Sequence, residues 1–419
     1  MDRILTALKR PELRSKILFI LGILALSRVL STIPVPAIDG SQLKEFFANN
    51  QFFGLISAFT GGGLSNLSIA MIGLGAYITA SIIMQLMTMI FPSMEQLYKH
   101  EGEAGRAKFN QYSRMLAVPL GAIQAYGFLT LLVRQSVIPA MSGFEWFNAI
   151  TVVVAGSMLL MWLGELMTEK NLGNGVSLLI LAGIAASIPT TLRQAIFTYT
   201  PDQLITYIVF AVISLVVIAG VVFISEAQRN IPVTYARRVR GSRVFGGVST
   251  YLPMRVNNAG VIPIIFALSI LLFPGTIATF FAGSSITFLA NAAQFVQGVL
   301  ANQLWYALMY FILVVLFTFF YTAVTFDPKS IAENIQKQGG YIPGLRPGPM
   351  TAQFLTFLVN RITLVGALFL GAVAVLPNVV QGVTGLSAFS IGGTTVLIVV
   401  SVALELMKQL DAQVSMYEY

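Results

Sequence analysis

FFGLISAFTGGGLSNLSIAMIGLGAYITASIIMQLMTMIF, residues 52–91, decides how the rest of the chain is read. A short apolar run, Phe52 to Phe59, is broken by Thr60, Gly61, Gly62, Gly63, Leu64, Ser65 and Asn66, and a longer apolar run follows from Leu67 to Phe91. A membrane-crossing helix needs about 20 residues, so the second run is long enough and the first is not. Each glycine weakens a helix by roughly 1 kcal/mol relative to alanine, and three in succession break it. Irregular backbone is tolerated at membrane depth only where it is buried in protein or lines a wet cavity. The first run therefore reads as a re-entrant, plug-like segment; an ordinary extracytoplasmic loop beside a greasy helix is the alternative.

Working outward, the whole 419-residue chain shares this character. It is 56% hydrophobic and only 10% charged, where soluble domains carry roughly 25% charged residues. The expectation is one polytopic, all-α, membrane-embedded domain over residues 1–419. Residues 1–16 are basic and polar, and Arg28 interrupts the apolar run behind them, so no cleavable signal peptide is expected. Cysteine is absent and His100 is the single histidine, which excludes disulfides and any Cys/His metal cluster; no cofactor is expected. The net charge of +8 points to no partner until its distribution is known.

Ten spans are expected: Lys16–Pro34, Leu67–Phe91, Ser113–Val133, Trp146–Met167, Val176–Phe197, Leu204–Ser225, Ala259–Phe281, Gln303–Thr325, Gln353–Pro377 and Phe389–Met407. With these spans, 21 of the 25 Lys and Arg residues fall on one side, and only Lys44, Arg134 and Arg193 on the other. Arg28 lies inside the first span. This bias sets both termini in the cytoplasm. Ten spans divide into two five-span halves, about 1–200 and 201–419, which enter the membrane in opposite senses as inverted repeats do. No residue-level repeat accompanies that symmetry.

Two cytoplasmic loops are more than tethers. Residues 226–258 carry β-branched and aromatic residues around Gly246–Gly247, the pattern of a hairpin-like projection. In residues 327–350, Pro328 to Gln338 reads as a short helix ended by Gly339 and Gly340. Gly344, Pro347, Gly348 and Pro349 then form a stiff turn that presents Arg346. These arginines serve either a docking surface or topology and anionic-lipid contact.

Eight stretches taken together resemble the SecY family of bacterial Sec translocon channels. They are FTGGGLSNLSI (59–69), YITASIIMQL (77–86), KHEGEAGRAKFNQYSR (99–114), MWLGELMTEKNLGNGVSLLI (161–180), IPVTYARRVRGSRV (231–244), YLPMRVNNAGVIPIIFA (251–267), FYTAVTFDPKSIAENIQKQGGYIPGLRPG (320–348) and TLVGALFL (363–370). They stand in family order and cover nearly the whole chain. The resemblance implies ten transmembrane helices in two inverted halves, closed around a central constriction with a plug before span two. It implies a protein-conducting channel in the bacterial plasma membrane that passes unfolded polypeptides and releases apolar segments sideways. Expected partners are SecE and SecG, the ATPase SecA or a ribosome on the cytoplasmic face, and signal sequences and unfolded secretory proteins as substrates.

The resemblance also assigns residues. The pore ring maps to Leu74, Ile78, Val176, Ile180, Ile262, Ile265 and Ile398. The plug maps to Phe53, Gly54, Leu55, Ile56, Ser57, Ala58, Phe59, Thr60, Gly61, Gly62, Gly63, Leu64, Ser65 and Asn66. The lateral gate maps to Thr79, Gln85, Asn257 and Ser269, and partner docking to Arg237, Arg238, Arg240, Arg243 and Arg346. A narrow aliphatic ring suits such a pore because it dewets when idle and deforms without breaking hydrogen bonds. Leu74 with Ile78, and Val176 with Ile180, are spaced by four and share a helix face; plain helix packing explains the same spacing. Gln85 and Asn257 are placed to hydrogen-bond across helices, at about 0.6–2 kcal/mol. Arg28 at mid-span needs a partner, and His100 reads as solvated.

Rival functions fit less well. A coupled secondary transporter usually needs acids within its spans, whereas Glu165, Glu226 and Glu405 sit at span ends. An intramembrane enzyme would need a reactive constellation, and the chain has no HExxH, GxxxxGK[ST] or GxSxG.

Overall fold

The structure is a computed structural model. It describes residues 10–36, 63–64, 66–99, 101–134, 137–197, 204–235, 238–240, 243–245, 249–257, 259–281, 287–384 and 388–416. A helix stands at each of the ten expected spans: α1 (Pro11–Leu30), α2 (Gly75–Ile90), α4 (Gly102–Arg134), α5 (Gly143–Thr168), α6 (Gly175–Phe197), α7 (Leu204–Glu226), α8 (Ile262–Phe281), α10 (Gln303–Thr325), α12 (Pro349–Thr384) and α13 (Ala388–Met416). Three further helices are α3 (Pro92–Lys99), α9 (Thr287–Ala301) and α11 (Pro328–Lys337). Among the described residues, α4, α5, α7, α10 and α12 hold stretches long and apolar enough to cross a bilayer unaided. The pair α2 and α3 makes a sixth such stretch, bent by 111°.

Span two differs from its sequence reading. Leu67 to Leu74 is a chain of turns, and the helix begins only at Gly75. Leu67 (φ 42°) and Gly73 (φ 60°) take left-handed backbone, which costs a side-chain-bearing residue roughly 1–2 kcal/mol. Tertiary bonds hold it there. Val35 N donates to Leu67 O at 2.8 Å, Ile69 N to Ile33 O at 2.9 Å, and the buried Ser157 hydroxyl to Gly73 O at 2.7 Å. Leu67, Ala70 and Met71 are essentially inaccessible. A Cβ on Gly156 of α5 would collide with the Ile69 carbonyl, so α5 lies directly on this backbone. The irregular stretch is thus buried in protein, the condition under which a membrane tolerates it.

Span three also extends further than expected, because α4 starts eleven residues before Ser113. Its first turns fold back on α3. Gly105 has no side chain to keep the Leu97 carbonyl away, and Phe109 packs its ring on Tyr98 at 4.9 Å. Arg28 lies in the last turn of α1 rather than at mid-span, where the helix dipole favours a cation.

The expected hairpin is present and gains a third strand. β1 (Gln228–Tyr235) pairs antiparallel with β4 (Ser249–Arg255) in the register Gln228↔Arg255 to Thr234↔Ser249. β5 (Gly340–Tyr341), from the other cytoplasmic loop, pairs with β1 at Thr234↔Tyr341. β2 (Arg238–Arg240) and β3 (Arg243–Phe245) form a separate ribbon. Side chains alternate across a strand; Ile231 and Val233 of β1 point inward with Met254. They pack on Ile335 of α11, Ile342, and Leu355, Leu358 and Val359 of α12. Asp327 caps α11, accepting from Lys329 N and Ser330 N and from the Ser330 hydroxyl at 2.7 Å. That hydroxyl bond, with the backbone bonds and nearby Lys99, holds the Asp327 carboxyl below its usual range.

Contacts between helix ends agree with alternate crossings. Arg114 Nε meets Glu165 Oε1 at 2.8 Å, Lys408 Nζ meets Glu226 Oε1 at 3.0 Å, and Gln413 Nε2 donates to Asn171 O at 2.7 Å. Each pair joins segments that the ten-span reading places on the same side.

Candidate functional site

The seven residues assigned to the ring come from α2 and its cap, α6, α8 and α13. They meet in one apolar cluster. Leu74, Ile78, Ile180, Ile265 and Ile398 are between 2% and 7% exposed, and Val176 and Ile262 pack half-buried against them.

On the side of the charged loops lies a cavity of about 400 Å³. Ile78, Val176, Ile262 and Ile265 form part of its apolar wall, whereas Leu74, Ile180 and Ile398 are not among its lining residues. The remaining wall is mainly polar: Tyr77, Ser81, Gln85, Asn110, Arg114, Glu165, Thr168, Glu169, Asn174 and Ser177, with Phe266 and Tyr321. The Arg114–Glu165 pair ties α4 to α5 at this wall. The cavity is thus a vestibule whose wall is aliphatic in one part, from α2, α6 and α8, and elsewhere lined mainly by polar residues. The cation of Arg114 and the acid of Glu165 were visible in the sequence only as separate charges. No sequence pattern links residues 51 positions apart.

Of the residues assigned to the gate, Thr79 and Gln85 belong to α2, Ser269 to α8, and Asn257 stands just before α8, which packs against both α2 and α4. Where α2 meets α4, Ala80, Ala117 and Leu120 are buried, with Tyr77, Met158 of α5 and Phe273 of α8 packed on them. Thr79 is buried and spends its hydroxyl on Gly75 O at 2.9 Å. The bonds expected from Gln85 and Asn257 across helices are not made. The turn at Gly260 (φ 63°) brings its carbonyl to Asn257 Nδ2 at 3.3 Å, so the nitrogen of that amide is engaged locally and its oxygen is not. Gln85 Oε1, Asn257 Oδ1 and Ser269 Oγ are buried without a hydrogen-bond partner. Such a group costs about 1–3 kcal/mol where water does not reach it; Gln85 lines the cavity, where water does.

Of the plug residues, Phe53 to Gly62 and Ser65 lie outside the described residues. Gly63, Leu64 and Asn66 form the anchored end. Gly63 O accepts from Ser68 N and from the Ser68 hydroxyl, each at 3.0 Å, and Asn66 Nδ2 donates to Ser31 O at 3.4 Å. Leu64 is 2% exposed and packs with Leu129, Leu132 and Val153 of α4 and α5.

Of the docking arginines, Arg237 lies outside the described residues, as does His100. The backbone of Arg238, Arg240 and Arg243 belongs to the β2–β3 ribbon. Arg346 is exposed on a turn whose shape is set by Gly344 (φ 84°) and Gly348 (φ 99°), and Arg346 O accepts from the Thr351 hydroxyl at 2.9 Å. The described residues contain no group of three His, Cys, Asp or Glu able to hold a metal.

With that geometry in view, similarity to known proteins becomes specific. Residues 68–407 match the SecY family. The protein translocase subunit SecY of Thermus thermophilus is 41% identical, with 99% of this chain and 95% of that protein covered. That of Corynebacterium glutamicum is 41% identical over 100% and 99%, and that of Streptomyces scabiei 40% over 99% and 97%. Among solved structures, a SecY channel whose plug domain stabilises the closed state has a TM-score of 0.65 at 21% identity, with 94% of this chain and 91% of that one covered. Sec61 in a canine ribosome-channel complex gives 0.61 at 20% identity over the same shares. At such identities these two structures speak to the fold, and the full-length sequence relatives carry the rest: this chain belongs to the SecY family.

Proposed function

We propose that this chain is the channel subunit of a bacterial plasma-membrane protein translocase, passing unfolded polypeptides across the membrane and releasing apolar segments into it. One observation carries the reading: aliphatic residues from α2, α6, α8 and α13 belong to one apolar cluster, and those of α2, α6 and α8 also line the vestibule. The vestibule receives an extended chain, and the seven ring residues part around it. Residues 53–66 act as the plug beyond the ring. The α2–α8 seam, sealed by weak apolar contact and burdened with unsatisfied polar atoms, opens for a signal sequence or an apolar segment.

The two five-helix halves, about 1–200 and 201–419, hinge around this centre, and both termini lie in the cytoplasm. The chain itself does no bond chemistry in this reading. Energy comes from SecA or a ribosome seated on the cytoplasmic sheet, on Arg237, Arg238, Arg240 and Arg243 and on Arg346. SecE and SecG complete the complex, and anionic lipids contact the remaining basic residues. The experiment is reconstitution with those subunits in vesicles, with SecA, ATP and a secretory precursor added outside. ATP-dependent protection of the precursor from added protease is the expected result. Protection at the level of protein-free vesicles would exclude the channel role.

A further inference from the structure

Helix α9 lies between two spanning helices, five residues after the end of α8 and one residue before the start of α10. It must therefore sit at a membrane surface, on the side away from the charged loops. Its fifteen residues carry no charge. At about 100° per residue, they sort into three faces. Ala293 is buried, and Leu289, Val296 and Leu300 are partly buried beside it, which marks the face turned to the protein. The exposed half then divides lengthwise. Phe288 and Phe295, seven apart and 79% and 73% exposed, define an apolar flank. Asn291, Gln294 and Gly298, also exposed, define a polar flank beside it.

Two exposed phenylalanines facing water would cost about 1.5–3 kcal/mol each relative to burial, with no packing reason to be there. The apolar flank continues into Leu304 and Trp305 at the start of α10, 73% and 51% exposed. Tryptophan at the end of a span marks the headgroup level. The corner between the two helices is fixed: Asn302 Oδ1 accepts from Leu304 N and Trp305 N, and Gln303 Nε2 donates to Asn378 O of α12 at 2.6 Å. Depth in the bilayer is thus set by the fold.

We propose that α9 is an interfacial helix, its Phe288–Phe295 flank sunk in the headgroup–acyl boundary of the outer leaflet and its Asn291–Gln294 flank facing water. The inference rests on the membrane-spanning architecture and not on the channel role. Because the helix packs on α8, it also ties one side of the lateral seam to the lipid surface.

The chain contains no cysteine, so single-cysteine variants need no altered background. Phe288→Cys, Phe295→Cys and Gln294→Cys each replace an exposed side chain and can carry an environment-sensitive fluorophore. The purified complex would be placed in phosphatidylcholine–phosphatidylglycerol nanodiscs holding lipid nitroxides near the headgroup or deep in the acyl chain. Labels at 288 and 295 should be quenched several-fold more by the shallow nitroxide than by aqueous iodide, and the label at 294 the reverse. Iodide quenching dominant at all three positions would overturn the proposal, since the helix would then stand in water. Protection of 288 and 295 from both quenchers would overturn it too, because a protein partner would then cover the flank.

Discussion

Replacing ring isoleucines with serine should separate sealing from folding, because the structure divides the ring into two classes. Ile78 and Ile265 touch the vestibule, whereas Ile180 and Ile398 do not. All four are nearly inaccessible and belong to one cluster. Large-to-small changes at a buried isoleucine cost about 2–5 kcal/mol where the gap stays empty. At Ile78 and Ile265 water from the vestibule can fill the space and solvate the new hydroxyl, so the loss should fall at or below the lower end of that range. At Ile180 and Ile398 the hydroxyl is left in an apolar surround, which adds about 1–3 kcal/mol if it finds no partner. Ile78→Ser and Ile265→Ser should therefore raise small-ion conductance of the idle, reconstituted complex with a small fall in Tm. Ile180→Ser and Ile398→Ser should lower Tm more for a smaller leak. Planar-bilayer recording and thermal unfolding in nanodiscs read both quantities. If none of the four leaks and all lose comparable stability, the cluster is ordinary core and the ring assignment is wrong.

Three other perturbations follow from the same structure. Gly156→Ala should destabilise the protein by about 1–3 kcal/mol, since its Cβ meets the backbone of Ile69, which cannot step aside; Gly22→Ala, with open space around it, is the matched control, and equal Tm for both would undo the packing argument. Arg346→Glu should reduce SecA-driven translocation at unchanged protein level, because glycines and the Thr351 bond, not the guanidinium, shape its turn; equal transport would remove Arg346 from the docking surface. The Asp327 cap should make the cytoplasmic sheet acid-sensitive. Its folded carboxyl is held low chiefly by the Ser330 hydroxyl, so its contribution is present above the ordinary carboxylate range and is lost as pH falls through the lower folded value. Asp327→Ala should cost about 0.5–2 kcal/mol near neutral pH and flatten that acid limb in a denaturation series. An unchanged limb would mean the cap does not titrate with folding.

The spanning helices were legible because nothing but a helix can satisfy so long an apolar stretch of backbone, and because Lys and Arg mark one side. The turns from Leu67 to Leu74 were not. Their residues are as apolar as the helix they precede, and the Ser157 hydroxyl and the Ile33–Val35 segment that hold them lie far away in sequence. The first turns of α4 were missed because they are polar, and only contact with α3 reveals them as helix. α9 escaped because it has no charge and its apolar residues are shared between two faces. For the ring, spacing by four on α2 and α6 was visible, but convergence with α8 and α13 came from family resemblance. The vestibule wall was invisible, since Tyr77, Arg114, Glu165 and Tyr321 come from four separate helices.

The cytoplasmic sheet gives the proposed docking surface a mechanical meaning. β1 follows α7 after one residue, β4 leads within seven residues into α8, and β5 is flanked by α11 and α12. Because β5 pairs with β1 and their inner faces share one core with α12, the two loops move as one body. Val256 sits at the joint between β4 and α8: its N–H donates to Ala227 O at 2.9 Å, and its carbonyl lies so close to Gly366 of α12 that a Cβ there would approach it at 2.7 Å. A partner that tilts the sheet must therefore displace the cytoplasmic end of α8. That helix carries Ile262 and Ile265, both assigned to the ring, and packs against α2 and α4. On the proposed reading, force applied to the β4–β1–β5 sheet reaches the assigned ring residues Ile262 and Ile265 and the α8 contact with α2 through the same helix.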